Sequence, residues 1–272
     1  MKIAFGSLLL LSLMPCLFAC NDKAQGTFKG RRSTVTVAGS TSVMPFSEKL
    51  AEHFKIERPR IVVDVQGGGS SAGIQACMNG TVDIGMSSRE LKGAEKALNQ
   101  VVICHDGIAV VVNPRNPIKN ITSEQVRAVY SGKLRNWKSL GWIDRNIDAV
   151  SREEGSGTRG AFEELVMAKT GIDDGTMVQD SNGSVKEVVA TDPYAIGYIS
   201  LGVVDAKVKA LSIEDIRPTP DNIKEGRYRI VRPFLYLTRG EPGEAAGLFM
   251  AYVLSKDGQG ILKKEGLIPV NE

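Results

Sequence analysis

Apolar residues along this chain follow two rhythms that take turns. Val35 and Val37 alternate with polar neighbours across 34–39, which predicts a short strand. Val43, Phe46, Leu50, Ala51 and Phe54 then recur at helical spacing over 43–56. The order repeats as a strand over 61–65, a turn at Gly67-Gly68-Gly69, a helix over 72–78, a strand over 82–85 and a helix over 91–98. The run at 107–113 reads as a continuous apolar strand, and Pro114 and Pro117 after it mark a crossing into a second domain. Thr122 with Gln125 forms a capping-box pattern opening a helix to about Tyr130, and strands are expected over 147–150, 195–199 and 230–237. Two closing helices, 244–254 and 258–264, follow; in the first, Ala246, Phe249, Met250, Val253 and Leu254 share an inward face. Strands alternating with helices predict an α/β protein of two lobes with largely parallel sheets covered on both sides.

The N-terminus has a different character. Lys2 precedes an apolar stretch over 3–19 that ends at a polar segment, the architecture of an export signal over 1–20; a retained membrane helix is the alternative. Leu17-Phe18-Ala19-Cys20 resembles a bacterial lipobox, which implies acylation of Cys20 and a protein hung from a bilayer facing outward. Residues 21–33 are polar and aperiodic and read as a flexible tether. Cys77 and Cys104 then remain in a compartment that permits a disulfide, and a bridge or two buried thiols are both open.

Composition narrows the function. At 272 residues, 42% hydrophobic and 24% charged, the chain has material for about two globular domains. The 34 basic against 31 acidic residues leave +3, too even for a nucleic-acid binder, so any anion site must be local. Two histidines, His53 and His105, offer little for metal or triad chemistry, and neither a metal nor a cofactor is expected.

Candidate chemistry is concentrated in three glycine-hydroxyl clusters, each just after a predicted strand and before a predicted helix: Gly39-Ser40-Thr41-Ser42, Gly67-Gly68-Gly69-Ser70-Ser71 and Gly155-Ser156-Gly157-Thr158. Any one of them is an ordinary helix cap or tight turn. Three together suit an oxyanion, because glycine admits close backbone approach and the first N–H groups of a helix are unpaired at the positive end of its dipole. Arg152, at a strand end, supplies a guanidinium that can fork onto two oxygens, with Glu154 to orient it and Arg159 as a second cation. Ser87-Ser88-Arg89 adds hydroxyls at a fourth strand end. The pattern G-x-G-x-x-A at 67–72 lacks the acidic residue a dinucleotide fold needs, and neither a P-loop nor a G-x-S-x-G elbow is present.

At these clusters the sequence resembles the phosphate-binding proteins of bacterial ABC import systems, members of the type 2 periplasmic-binding fold. The resembling segments are VAGSTSVMP from Val37, VQGGGSSAGIQA from Val65, VDIGMSSRE from Val82, DGIAVVVNP from Asp106 and SREEGSGTR from Ser151. The resemblance implies two lobes, 34–111 with 231–272 and 112–230, each a mixed sheet flanked by helices and joined by two crossing segments. It implies a monomer that binds inorganic phosphate between the lobes and passes it to a permease driven by an ATPase, with no catalysis. Ser40, Thr41, Ser42, Ser70 and Ser88 would bind from one lobe and Arg152, Ser156, Gly157 and Thr158 from the other. Where the best-known pattern of this family has an aspartate that accepts the phosphate proton, this chain has Ser88. Receptors for sulfate, molybdate or another tetrahedral oxyanion, and a phosphatase-like hydrolase using the same cradle, stay as alternatives.

Overall fold

The computed structural model describes residues 32–168 and 170–271. The expected signal over 1–20, the lipid site at Cys20 and all of the tether up to residue 31 lie outside the described residues. Ser33, expected in the tether, already belongs to the first strand.

β1 (Ser33–Gly39) leads to α1 (Met44–Glu57), β2 (Ile61–Gly67) to α2 (Ser70–Asn79), and β3 (Ile84–Ser87) to a 3-10 turn at Gly93–Ala97. β4 (Asn99–Val112) is followed by β5 (Asn120–Ile121), α3 (Ser123–Tyr130), β6 (Asp148–Arg152) and α4 (Gly157–Phe162), which a π turn at Glu163–Met167 extends. Then come β7 (Met177–Gln179), α5 (Asn182–Thr191), β8 (Ala195–Ser200), β9 (Lys209–Ala210), β10 (Ser212–Ile213) and α6 (Pro220–Lys224). β11 (Val231–Thr238), α7 (Glu244–Leu254), α8 (Lys256–Lys264) and β12 (Ile268–Pro269) close the described chain.

The principal sheet runs β2-β1-β3-β11-β4-β8-β6-β7. Pairing is parallel at both ends, where β1 joins β2 and β3 and where β6 joins β7 and β8, and antiparallel in the middle. The middle strands create the two-lobed form. β4 pairs with β11 from Asn99 to Gly107 and then changes partner, pairing with β8 from Ile108 onward. Its register mate at the change is Val231, the first residue of β11, and Ile108 N–H donates to Ile230 C=O at 2.9 Å. β4 thus exchanges β11 for β8 between Gly107 and Ile108, beside the point where the chain enters β11 at Val231.

Side-chain alternation explains how one strand serves two faces. Ile108, Val110 and Val112 enter one apolar cluster with Val126, Phe162 and Tyr198, while Ala109 and Val111 enter another with Val185 and Val189 of α5. The first lobe is likewise covered on both sides. Phe46, Leu50 and Phe54 of α1 join Phe249, Val253 and Leu262 over one face, and Ile74 and Cys77 of α2 cover the other with Leu235 and Leu237. The capping box forms as expected, with Gln125 N–H on Thr122 Oγ1 at 3.1 Å and Thr122 N–H on Gln125 Oε1 at 2.9 Å. The helix expected over 91–98 does not form. Leu91 and Leu98 are both buried, but Gly93 takes a left-handed φ of 51° and β4 begins at Asn99, leaving room only for the 3-10 turn. Cys77 and Cys104 are both free and buried.

Candidate anion-binding site

The expected clusters occupy the turns after β1, β2 and β6, and these turns meet. Ser40, Ser42, Ser70, Ser88, Arg152, Ser156 and Thr158 are all buried. Within the first lobe, Ser40 Oγ donates to Ser88 Oγ at 2.9 Å, and Ser88 N–H donates to Ser70 Oγ at 3.0 Å. Between the lobes, Ser42 Oγ and Thr158 Oγ1 share a hydrogen bond of 2.7 Å, Arg152 Nη2 donates to Thr41 Oγ1 at 3.1 Å, and Ser71 N–H donates to Gly155 C=O at 3.1 Å.

Two glycines make this approach possible. Gly69 caps α2 at φ 88°, a conformation that L side chains avoid, and a Cβ there would lie 3.1 Å from Gly155 C=O. Gly157, the first residue of α4, faces Ser70 and Ser88 so closely that a Cβ would fall 2.5 Å from Ser88 Oγ and 2.9 Å from Ser70 Cβ. Ser156 caps α4 by accepting from Arg159 N–H at 3.2 Å, so its hydroxyl serves the helix end.

Arg152 is the cation of the cluster, with a side chain 1% exposed. Its fork is held on one side only: Nε and Nη2 donate to Glu153 at 3.0 and 2.9 Å, Nε donates also to Gln179 C=O, and Nη2 also to Asp180 C=O. Nη1 is buried without a partner among the described residues. The orienting carboxylate is therefore Glu153, and Glu154, expected in that role, is exposed; the chain leaves its extended path just after Arg152, which turns Glu153 back along the guanidinium. Arg159 does not join the cluster either. Its Nε donates to Glu163 at 2.8 Å and its Nη1 to the Arg152 carbonyl at 3.0 Å, so it braces the backbone of Arg152.

Three further groups belong to the site. Asn182, the first residue of α5, is buried and donates from Nδ2 to Ser42 Oγ at 2.7 Å, while its Oδ1 has no partner among the described residues. The segment Ser181-Asn182-Gly183-Ser184 follows β7 and opens α5, the same strand-end, helix-start pattern as the three clusters picked out by sequence, and that pattern was the signal available. Arg232 and Asp106 form a cross-strand ion pair where β4 and β11 leave the first lobe, at 2.9 and 3.1 Å from one Asp106 oxygen. Arg232 Nη1 also lies 3.4 Å from the Ser88 carbonyl, and Ser200 donates to the other Asp106 oxygen at 2.8 Å. Burial pushes the Asp106 carboxyl above its ordinary range and the Arg232 guanidinium below its own; facing each other opposes both shifts. No local motif announces this pair, since its members are 126 positions apart.

Behind the site, Arg89 donates to both Glu95 oxygens at 2.7 and 2.9 Å and to Ser71 Oγ at 3.2 Å, which fixes the loop after β3 against α2. Tyr198 shares a 2.7 Å hydrogen bond with Ser151, and burial pushes its hydroxyl up to about 12. Arg89, Arg152, Arg159 and Arg232 each face a carboxylate, so the local charge is nearly balanced. The cluster thus brings hydroxyls, helix starts and one edge of the Arg152 guanidinium together with little net charge.

Such an arrangement, two α/β lobes sharing crossing strands with helix starts turned to a common buried cluster, defines a two-lobed binding protein. Residues 24–257 match the PBP superfamily domain. The phosphate-binding protein PstS of Bacillus subtilis is 35% identical over 258 residues, covering 93% of this chain and 85% of that protein. A Clostridium perfringens substrate-binding protein of a phosphate ABC transporter, solved with bound phosphate, is 42% identical with a TM-score of 0.86, covering 88% of this chain and 100% of that one. An ABC-type phosphate transport receptor from Vibrio cholerae is 38% identical with a TM-score of 0.72, covering 86% and 99%. The chain belongs to the PBP superfamily and, within it, to the family of the PstS phosphate-binding proteins.

Proposed function

We propose that this chain captures inorganic phosphate between its lobes and delivers it to the permease of an ABC importer, without chemical turnover. The observation that carries the reading is the buried Nη1 of Arg152, left unpaired among interlobe hydroxyls and the starts of α2, α4 and α5. Ser40, Thr41, Ser42, Ser70 and Ser88 would hold the anion from the first lobe, and Arg152, Gly157, Thr158 and the amides capped by Ser156 from the second. Phosphate favours the closed form because only there do both sets of groups reach it. The names of the related proteins from B. subtilis, C. perfringens and V. cholerae support both the ligand and the transport role.

The protein acts outside the cytoplasm as a monomer, held to the membrane through acylated Cys20, a reading supported by the apolar run over 3–19 and the tether behind it. Binding without catalysis is supported by the hydroxyls of the cluster being engaged in hydrogen bonds, with both histidines outside it: His53 is exposed on α1 and His105 pairs with Pro233 in the sheet. A receptor for sulfate or molybdate is the second reading, favoured by the hydroxyl of Ser88 where a carboxylate would repel those anions, and competition titration separates the two.

The decisive variant is Arg152→Ala. Loss of a hydrogen bond to a charged group costs about 1.5 to 3 kcal/mol, so phosphate affinity by calorimetry should fall by at least about tenfold. Unchanged affinity would refute the assignment.

A further inference from the structure

The hydrogen bonds of the site are one-sided. Ser40 Oγ accepts from Ser42 N–H at 3.2 Å and passes its own proton to Ser88 Oγ. Ser42 Oγ accepts from Asn182, Thr41 Oγ1 from Arg152, Ser70 Oγ from Ser88 N–H, and Ser156 Oγ from Arg159 N–H. A hydroxyl oxygen that already accepts is set up to donate its proton onward. The carboxylate that faces Arg152, Glu153, has both oxygens committed to it, and both Asp106 oxygens are taken by Arg232 and Ser200. Among the described residues of the site, one buried side-chain acceptor has no donor: Asn182 Oδ1, in a residue 2% exposed.

Monohydrogen phosphate offers three acceptor oxygens and one O–H. A site made only of donors would leave that proton unpaired and would treat sulfate, which has none, equally well. We propose that Asn182 is the proton-reading residue of the site: its Nδ2, fixed on Ser42, aims Oδ1 to accept the phosphate O–H, and sulfate is rejected because it leaves Oδ1 facing an anionic oxygen. The idea rests on the phosphate reading above and extends it to specificity. It assigns the acceptor to the second lobe, at the start of α5, and makes Ser88 a donor. The same amide joins the lobes through Ser42, so the proton is read only on closure.

The test is calorimetry on the full chain in detergent with phosphate, arsenate and sulfate, for wild type, Asn182→Leu and Asn182→Asp, with folding checked by unliganded melting. Asn182→Leu removes the acceptor at similar volume; the ratio of phosphate to sulfate affinity should fall at least about tenfold, with arsenate following phosphate. Asn182→Asp keeps an acceptor oxygen and loses the amide donor, and should keep the preference for phosphate. An unchanged ratio in Asn182→Leu, with both anions weakened alike, would show a merely structural amide and overturn the proposal. Loss of preference in Asn182→Asp would overturn it too, since the N–H would then be the group that matters. If Asn182→Leu fails to fold, Asn182→Ala is read in the same way. A wild-type chain that binds none of the three anions would instead overturn the phosphate reading itself.

Discussion

Gly157→Ala isolates lobe closure from folding. A methyl at this position would sit 2.5 Å from Ser88 Oγ and 2.9 Å from Ser70 Cβ, and rotation of the Ser70 side chain leaves the second contact in place. Restoring ordinary separation of about 3.5 Å requires the start of α4 to retreat by roughly 1 Å. That retreat stretches every bond between the lobes at this point: Ser42 to Thr158 at 2.7 Å, Arg152 to Thr41 at 3.1 Å and Ser71 to Gly155 at 3.1 Å. At about 1 kcal/mol net for each, the closed state loses roughly 3 kcal/mol, which weakens phosphate binding by about 10²-fold. Alanine is a better helix residue than glycine, so the unliganded variant should melt at or slightly above the wild-type temperature. Calorimetric titration together with unliganded and phosphate-saturated melting curves separates the effects. Affinity within twofold of wild type would refute the reasoning, because the close approach of α4 to Ser70 and Ser88 would then play no part in binding.

Asp106→Asn leaves Arg232 charged and buried beside the crossing strands and should destabilise the fold by about 3 to 5 kcal/mol in denaturant unfolding; the double change with Arg232→Met should recover part of that loss. Glu95→Gln removes the partner of Arg89, whose hydrogen bond and charge hold the Glu95 carboxyl below its ordinary value. Because that value is depressed on folding, the stabilisation is complete above about pH 4.5 and fades as the pH falls through the folded value, so wild type and Glu95→Gln should differ by about 1 kcal/mol or less near neutrality and converge in acid. Cys77 and Cys104 are buried thiols whose ionisation burial disfavours, so both should resist thiol reagents until the protein is denatured; rapid labelling of either in the native state would contradict the packing.

Much of the fold was legible in the chain because buried strands and amphipathic helices write their period directly. The apolar run over 107–113 marked the half of β4 buried on both faces, whereas its other half, Asn99–Asp106, mixes polar and apolar residues and did not stand out. Leu91 and Leu98, seven apart, imitate a helix although each is simply buried beside α2. The point where β4 changes partner is set by pairing with β11 more than a hundred positions away, and no local signal records it. In the site, the glycine-hydroxyl clusters and Arg152 were visible because their chemistry is local to a turn. The choice of Glu153 over Glu154 depends on how that turn bends, and the pairing of Asp106 with Arg232 depends on strand register. Asn182 sits in the same kind of segment, but the strand before it, Met177–Gln179, is three residues long and largely exposed, so no apolar pattern marks it as a strand end.

The first lobe borrows its missing wall from elements that follow the whole of the second lobe in the chain. Phe234, Phe249, Val253 and Leu262 fill the cluster that Val35, Phe46 and Leu50 begin, and β11 lies between β3 and β4. A nascent chain leaving the ribosome therefore exposes the start of this cluster long before the residues that seal it exist. Its N-terminal half must wait, open and soluble enough to survive, until β11, α7 and α8 have been made, and any release before β11 would yield a fragment with no route to a closed core.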